Sequence, residues 1–521
     1  MKRTPKLFAL VFAAMLLMSL AACGPKTPAA TTGAPAQSAA AEPTQAASEK
    51  PAPMRYVTPG NTFPDQETVL AAVNKKLQAD GVNIEVQFNR IPWDAYQQKL
   101  NLLLSDGTPF ELLHVMQDIV NISTLSSQEA IVPIDDLLPK YPELVSKFTE
   151  DQWLQAKLGS KTYAVPANWQ EFSKVLGYVS YRSDVYEKVM GTNVFPSDFD
   201  GYFDASVKMQ AAIKEETGKT PYVWLHQVSD NPAFLHRTYP EFPFYVDRST
   251  SLTLVKQDGT VESYFESDIF KRDAAAFRKM YTAGLIDPDV LNSVAQKKND
   301  AFNIGCFLPS QTFDYFGEPT LKKNVPTATF ANAYLAPDKP FLQYIAIQNL
   351  NAISATSENP ESGLQFLNWL YSDKANHDLF CYGVEGTHYT ASAPNRIKNT
   401  VGADNTALYA FDTWMIGYLP YMRFSEELTQ AGMDYATVPA PADKLVVSPQ
   451  AGFLFDASNL KAEIPNITAE VIASFYPIKF GLVDYDTAYP EAIKKLKAAG
   501  IDKYIAEYQK QLTAHLESRK K

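Results

Sequence analysis

Glu385 and His388 stand three residues apart, the kind of couple that acid–base catalysis or half of a metal site would use. His377 and Cys381 stand four apart, so a helix places them on one face. Two ligands without a third do not make a zinc site. Cys306 and Cys381 show no spacing typical of metal or redox motifs and read as separate buried thiols, with a disulfide between them as the alternative. Asp135 and Asp136 are adjacent, and adjacent carboxylates point apart. Glycoside hydrolysis needs two that converge at ~5–9.5 Å, so a helix-cap role ahead of Leu137 and Leu138 fits better. The chain has no EF-hand calcium loop and no phosphate-cradling glycine loop. The sequence therefore calls for no metal and no cofactor, and names no catalytic residue.

Flat rings are the more informative population, with 28 Tyr, 30 Phe and 6 Trp. Sugars offer apolar C–H faces to such rings, and their hydroxyls need paired polar groups; Tyr and Trp supply both. That abundance fits a glycan cleft, although most of the rings belong in a core. Trp93 sits where a strand hands over to a helix, at a cleft rim or as a helix-start staple. Asn168 and Trp169 follow the strand-like Tyr163-Ala164-Val165-Pro166, where the chain should enter a second lobe. Trp224 and His226 follow Pro221-Tyr222-Val223, another strand end. Asp314 and Trp414 lie in loop-like aromatic stretches. With Glu385 and His388 these make nine candidate ligand contacts. For the last two a loop-ordering role competes, and for the others core packing does.

The elements that must position them alternate. Glu67 to Ala79 carries Val69, Leu70, Val73 and Leu77 on one helical stripe, stopped by Asp80-Gly81. Ile84, Val86 and Phe88 alternate with polar residues as a strand does. Pro92-Trp93 opens a second helix with Tyr96, Leu100, Leu103 and Leu104, and Leu112 to Met116 reads as the next strand. Helix and strand in alternation argue for α/β architecture. Further helices are expected over Ser362 to Tyr371 and Pro490 to His515.

The N-terminus gives an address. Lys2, Arg3 and Lys6 precede an apolar run too short to span a bilayer, which needs ~20 residues. The run closes on Leu20-Ala21-Ala22-Cys23, which resembles a bacterial lipoprotein signal. That resemblance implies cleavage before Cys23 and lipid on it, with the protein on the extracytoplasmic face of the cell membrane. Gly24 to Met54 has no aromatic and no Leu, Ile or Val, and reads as a flexible tether spanning roughly 30 Å. Net charge is −11, and losing the leader makes the chain more acidic still. Nucleic acid is excluded as a partner, since phosphate binding needs a basic surface.

Several ordered segments resemble the extracellular solute-binding proteins, family 1, of carbohydrate importers, in the large lipoprotein branch with a C-terminal extension. They are Trp93-Asp94-Ala95-Tyr96-Gln97-Gln98-Lys99-Leu100, Ala130-Ile131-Val132-Pro133-Ile134, Lys161-Thr162-Tyr163-Ala164-Val165-Pro166, Tyr382-Gly383-Val384-Glu385-Gly386-Thr387-His388-Tyr389, Gly452-Phe453-Leu454-Phe455-Asp456 and Leu496-Lys497-Ala498-Ala499-Gly500. Glu111 stands where the family has Asp. The resemblance implies a two-lobed, type II periplasmic-binding-protein-like α/β fold with a hinge and an interlobe ligand cleft. Its expected divisions are a signal peptide at 1–22 and a lipidated tether at 23–54. A first lobe follows at 55–165 and about 295–350, and a second at 166–294 and about 351–445. A helical extension at 446–521 packs on both. The implied function is capture of a carbohydrate, an oligosaccharide above all, by a monomer that performs no chemistry and delivers it to an integral-membrane ABC permease. A surface carbohydrate-active enzyme and the ligand-sensing module of a signalling system are the alternatives.

Overall fold

The computed structural model describes residues 50–116, 120–225, 232–248, 250–292, 295–310 and 315–520. The signal peptide, Cys23 and most of the tether lie outside them, as do His226 and Asp314. No helix among the described residues is long and apolar enough to cross a membrane.

The chain opens with strand β1 (Ala52–Pro59), helix α1 (Gln66–Ala79) and strand β2 (Ile84–Ile91). Helix α2 (Tyr96–Asp106) and strands β3 (Leu112–Met116) and β4 (Ala164–Ala167) follow. Val69, Leu70, Val73 and Leu77 of α1 are all buried, and Gly81 takes the left-handed conformation that ends it. In β2 the buried Ile84 and Val86 alternate with exposed Glu85 and Gln87, as suits an edge strand with one wet face. β1 pairs with β2 in parallel from Ala52↔Ile84 to Pro59↔Ile91. The expected tether is therefore too long by its last residues: Ala52, Pro53 and Met54 are sheet, and Met54 is fully buried. Composition pointed to disorder, but the strand partner supplies the burial that composition lacked.

Strands β5 (Tyr178–Arg182), β6 (Phe330–Tyr334) and β7 (Asn349–Ile353) carry the chain across and back. β7 is antiparallel to both β3 and β4 and closes a five-stranded sheet in the order β2-β1-β3-β7-β4. Helices α3 (Pro360–Ser372) and α4 (Lys374–Tyr382) then pack back on β1 and α1. The second lobe pairs β5 with β6 around Tyr181, Tyr202, Met209, Trp224, Phe277 and Leu308.

This pairing corrects the expected division of the chain. Residues about 295–350 are expected in the first lobe, yet β6 pairs with β5, and Cys306 lies in the second core. Residues about 351–445 are expected in the second, yet β7, α3 and α4 build the first, while Tyr435 further on packs against Tyr178 of β5. Hydrophobic pattern says that a segment is a strand; it does not say which strand it will join. Cys381 lies in the first core, so the two thiols are buried apart.

The C-terminal segment ends in α5 (Tyr485–Ala499) and α6 (Ile501–Ser518). These replace the single helix expected from Pro490 to His515, because Gly500 sits at φ +104° and breaks the run. Tyr504, Tyr508 and Leu512 form the buried stripe of α6. The helix packs on a small sheet of Phe244–Val246, Thr253–Lys256 and Val261–Ser263. Gln509 fixes the contact, accepting from the Val261 N–H and donating to the Gly259 carbonyl.

Candidate functional site

The carboxyl ends of β2, β3 and β4 and the start of β7 meet at one edge of the five-stranded sheet. In open α/β sheets this is the edge that binds ligands. Trp93 leaves β2 in a single turn of 3₁₀ helix and is 50% exposed. Its ring stacks on Trp414, centroids 5.9 Å apart and planes at 23°. Trp414 in turn meets His114 of β3 edge-on at 5.1 Å.

His114 is fully buried, and burial pushes its imidazole down to about 3, so it is neutral at physiological pH. The Trp169 indole can only donate, and it does so to Asn349 Oδ1 at 3.2 Å. That turns the Asn349 amide nitrogen toward His114 Nε2, 3.3 Å away, which must accept. The proton of the neutral ring is thereby assigned to Nδ1. Trp169 finally packs against Phe316 at 5.0 Å. Trp93, Trp414, His114, Asn349, Trp169 and Phe316 thus form one continuous row along the edge.

Residues 412–419 carry Trp414 and are tied down at every step. Asp412 pairs with the buried Arg90, whose guanidinium also lies 4.7 Å from the centre of the Phe63 ring. Asn351 donates to the Met415 carbonyl (3.0 Å) and Tyr371 to that of Ile416 (3.0 Å). The Tyr418 N–H donates to His377 Nε2 and the Leu419 N–H to the Asn168 carbonyl. A side chain at Gly417 would place its Cβ 2.9 Å from that of Trp169, so only glycine allows the loop this close. Asn351, Tyr371 and His377, all buried, thus each make a hydrogen bond to this loop, and such bonds restrict its freedom.

Four of the nine sequence candidates therefore converge: Trp93, Trp414, Trp169 and, beside it, Asn168. Three do not join the row. Trp224 is 4% exposed and packs on Phe277 and Phe480 inside the second core. His388 is fully buried, where its Nδ1 accepts from the Val384 N–H at 3.0 Å. Gly383, with φ +85°, lets His388 close that loop, because a Cβ there would lie 2.8 Å from its ring. Glu385 is exposed on the same loop. His226 and Asp314 lie outside the described residues.

Other polar candidates resolve into structure. His377 and Cys381 do share a helix face, 3.7 Å apart, but His377 serves the Tyr418 N–H. Asp135 accepts from the Thr162 N–H at 3.0 Å and caps no helix. Glu111 is buried in a two-pronged pair with Arg55 at the opposite end of β3. Among the described residues no group of three His, Cys, Asp or Glu could hold a metal ion. His114, Asn349 and Phe316 were missed by sequence reading. The available signal was a histidine inside the otherwise apolar strand Leu112 to Met116.

Residues 60–377 match the model of the bacterial extracellular solute-binding proteins. The chain belongs to that family. Residues 449–517 match a separate domain of unknown function. A carbohydrate ABC transporter substrate-binding protein of Streptococcus pneumoniae is 24% identical over 87% of this chain and 89% of its own. Among solved structures, the N-glycan transport solute binding protein of S. pneumoniae superposes with a TM-score of 0.68 at 19% identity, covering 90% of this chain and all of that one. An HMO binding, ABC-transporter associated solute binding protein of Bifidobacterium longum infantis gives 0.63 at 15%, with the same coverage. These likenesses bear out the two-lobed α/β fold of the solute-binding proteins.

Proposed function

We propose that this solute-binding protein captures an oligosaccharide on the aromatic row and hands it to an ABC permease. The observation that carries the reading is the half-exposed Trp93, stacked on Trp414 and in line with the fixed indole of Trp169. Flat rings held rigid at a sheet edge suit the C–H faces of consecutive sugar units. The relatives support the cargo: one carries carbohydrate in its name, and the S. pneumoniae N-glycan protein is solved with Man1GlcNAc and Man5GlcNAc. Trp93, Asn168, Trp169 and Trp414 are the proposed contacts, and His114 and Asn349 position two of them.

A ligand touching both lobes favours the closed arrangement, and closure is the signal a permease can read. The chain performs no covalent step in this account. Cys23 carries lipid on the extracytoplasmic face, and the Ala-, Pro- and Thr-rich tether lets the monomer reach its partner.

A thermal-shift screen of residues 50–521 against neutral and acidic oligosaccharides tests the reading. A glycan at ~100 times its Kd adds ~2.7 kcal/mol of stability, visible as a raised Tm. No shift with any glycan, beside a clear shift with peptides, overturns the carbohydrate assignment. Turnover of a bound glycan overturns the non-enzymatic one.

A further inference from the structure

A cavity of about 440 Å³ is walled by stretches of chain far apart in sequence. One wall is the segment after β3, with Asn121 and Ser123; another is the strap that leads into β7, with Tyr344 and Gln348. The third is the small sheet, with Tyr245 and Arg248. The fourth comes from the C-terminal segment and includes Gln450, Phe455 and Tyr508. Gln348 directly precedes Asn349, so the cavity and the indole row share one sheet edge.

Its lining is rich in rings, of which Tyr245, Tyr344, Tyr504 and Tyr508 are largely buried and Phe453 and Phe455 partly so. Tyr245 and Tyr344 stack at 4.8 Å with planes at 16°, and Arg248 donates to the Tyr344 hydroxyl at 2.8 Å. On the C-terminal wall Phe455 lies 5.1 Å from Tyr504 and 4.9 Å from Tyr508. The amides and hydroxyls of Asn121, Ser123, Gln348 and Gln450 line the same cavity, Gln450 accepting from the Tyr508 hydroxyl and Asn121 from the Thr124 N–H. Rings with neutral hydrogen-bonding groups, and Asp247 beside Arg248 to balance charge, match a neutral polyhydroxylated ligand. They do not match an apolar or a phosphorylated one. The wall from the C-terminal segment is firmly mounted, because Lys479 is fully buried against Ser251 and Gln509 holds the sheet.

We propose that this cavity is a second glycan subsite, and that residues 449–517 serve as its wall. The proposal rests on the carbohydrate reading above. The volume falls within the ~300–1,000 Å³ of small-molecule sites and has room for about two sugar units. An oligosaccharide whose leading units lie on the Trp93–Trp169 row would run its remaining units into it. Chain length, rather than the identity of one sugar, is then what the C-terminal segment selects.

The test uses the whole chain with Cys23→Ser, and two plugs from opposite walls, Ser123→Tyr and Ala457→Phe, which remove no core group. Calorimetry gives Kd for a short and a long member of each of four series: mannosides (Man1GlcNAc and Man5GlcNAc), fructans, maltosides and β-glucans. Both plugs are expected to weaken the long member at least tenfold and leave the short member within twofold. Equal affinities in wild type and both plugs overturn the subsite and leave the carbohydrate reading standing. Equal losses for short and long members also overturn it, since the cavity would then be one with the primary site. A wild-type chain that binds none of the series overturns both. The two plugs lie on different segments, so a folding defect in one leaves the other as the measurement.

Discussion

Replacing Trp93 by Ala separates a ligand platform from a helix-start staple. Trp93 is 50% exposed, and an aromatic side chain can remove ~150–250 Å² from water, so about 75–125 Å² remains for a ligand to cover. At ~25 cal/mol per Å², covering it contributes about 2–3 kcal/mol, or ~30–160-fold in Kd. The stability cost arises from the buried half and from the stack on Trp414. It should stay below the ~3–5 kcal/mol of a fully buried Trp-to-Ala change. Calorimetry against the tightest glycan and urea unfolding of the same sample measure both quantities. Trp93→Tyr, which keeps a ring, should recover most of the affinity. A Trp93→Ala protein whose Kd stays within twofold of wild type would refute the reasoning, whatever its stability, and return Trp93 to a packing role.

Asn349→Leu should strand the Trp169 indole N–H, costing about 1–3 kcal/mol in unfolding experiments, and should weaken glycan binding by freeing that ring. If affinity survives intact, Trp169 is not a contact. Gly417→Ala should push the loop off Trp169 and lower affinity more than Tm; equal affinity would show that the close approach is incidental. His114 is neutral in the fold down to about pH 3, whereas the unfolded chain protonates it near 6.5. The unfolded state thus binds more protons between those values, and stability falls as pH drops through the window, by about 2 kcal/mol from pH 7 to pH 5 for this one group. His114→Gln should flatten the stability–pH slope by that amount, and an unchanged slope would contradict the assignment. Cys23→Ala should move the protein from the membrane fraction to the soluble fraction of cells; retention in the membrane would refute lipid anchoring there.

What the sequence determined by itself is what depends on neighbours along the chain. The α1 stripe of Val69, Leu70, Val73 and Leu77, the alternation in β2 and the start of α2 after Trp93 are set by periods of 3.6 and 2, and these read directly. The ordered motifs from Trp93 to Gly500 carried the family in the same way. Tertiary structure alone decided the partners. Trp93 and Trp224 both follow strand-like stretches, yet one is half exposed at the sheet edge and the other is sealed between Phe277 and Phe480. The difference lies in what packs above them, which local pattern does not encode. His114 meets Asn349 across 235 residues because β7 enters antiparallel between β3 and β4. The same insertion took β7, α3 and α4 out of the lobe expected for them. A strand's polar edge can be satisfied by any strand of compatible register, so only the assembled sheet selects which one arrives, and with it which polar side chains frame the site.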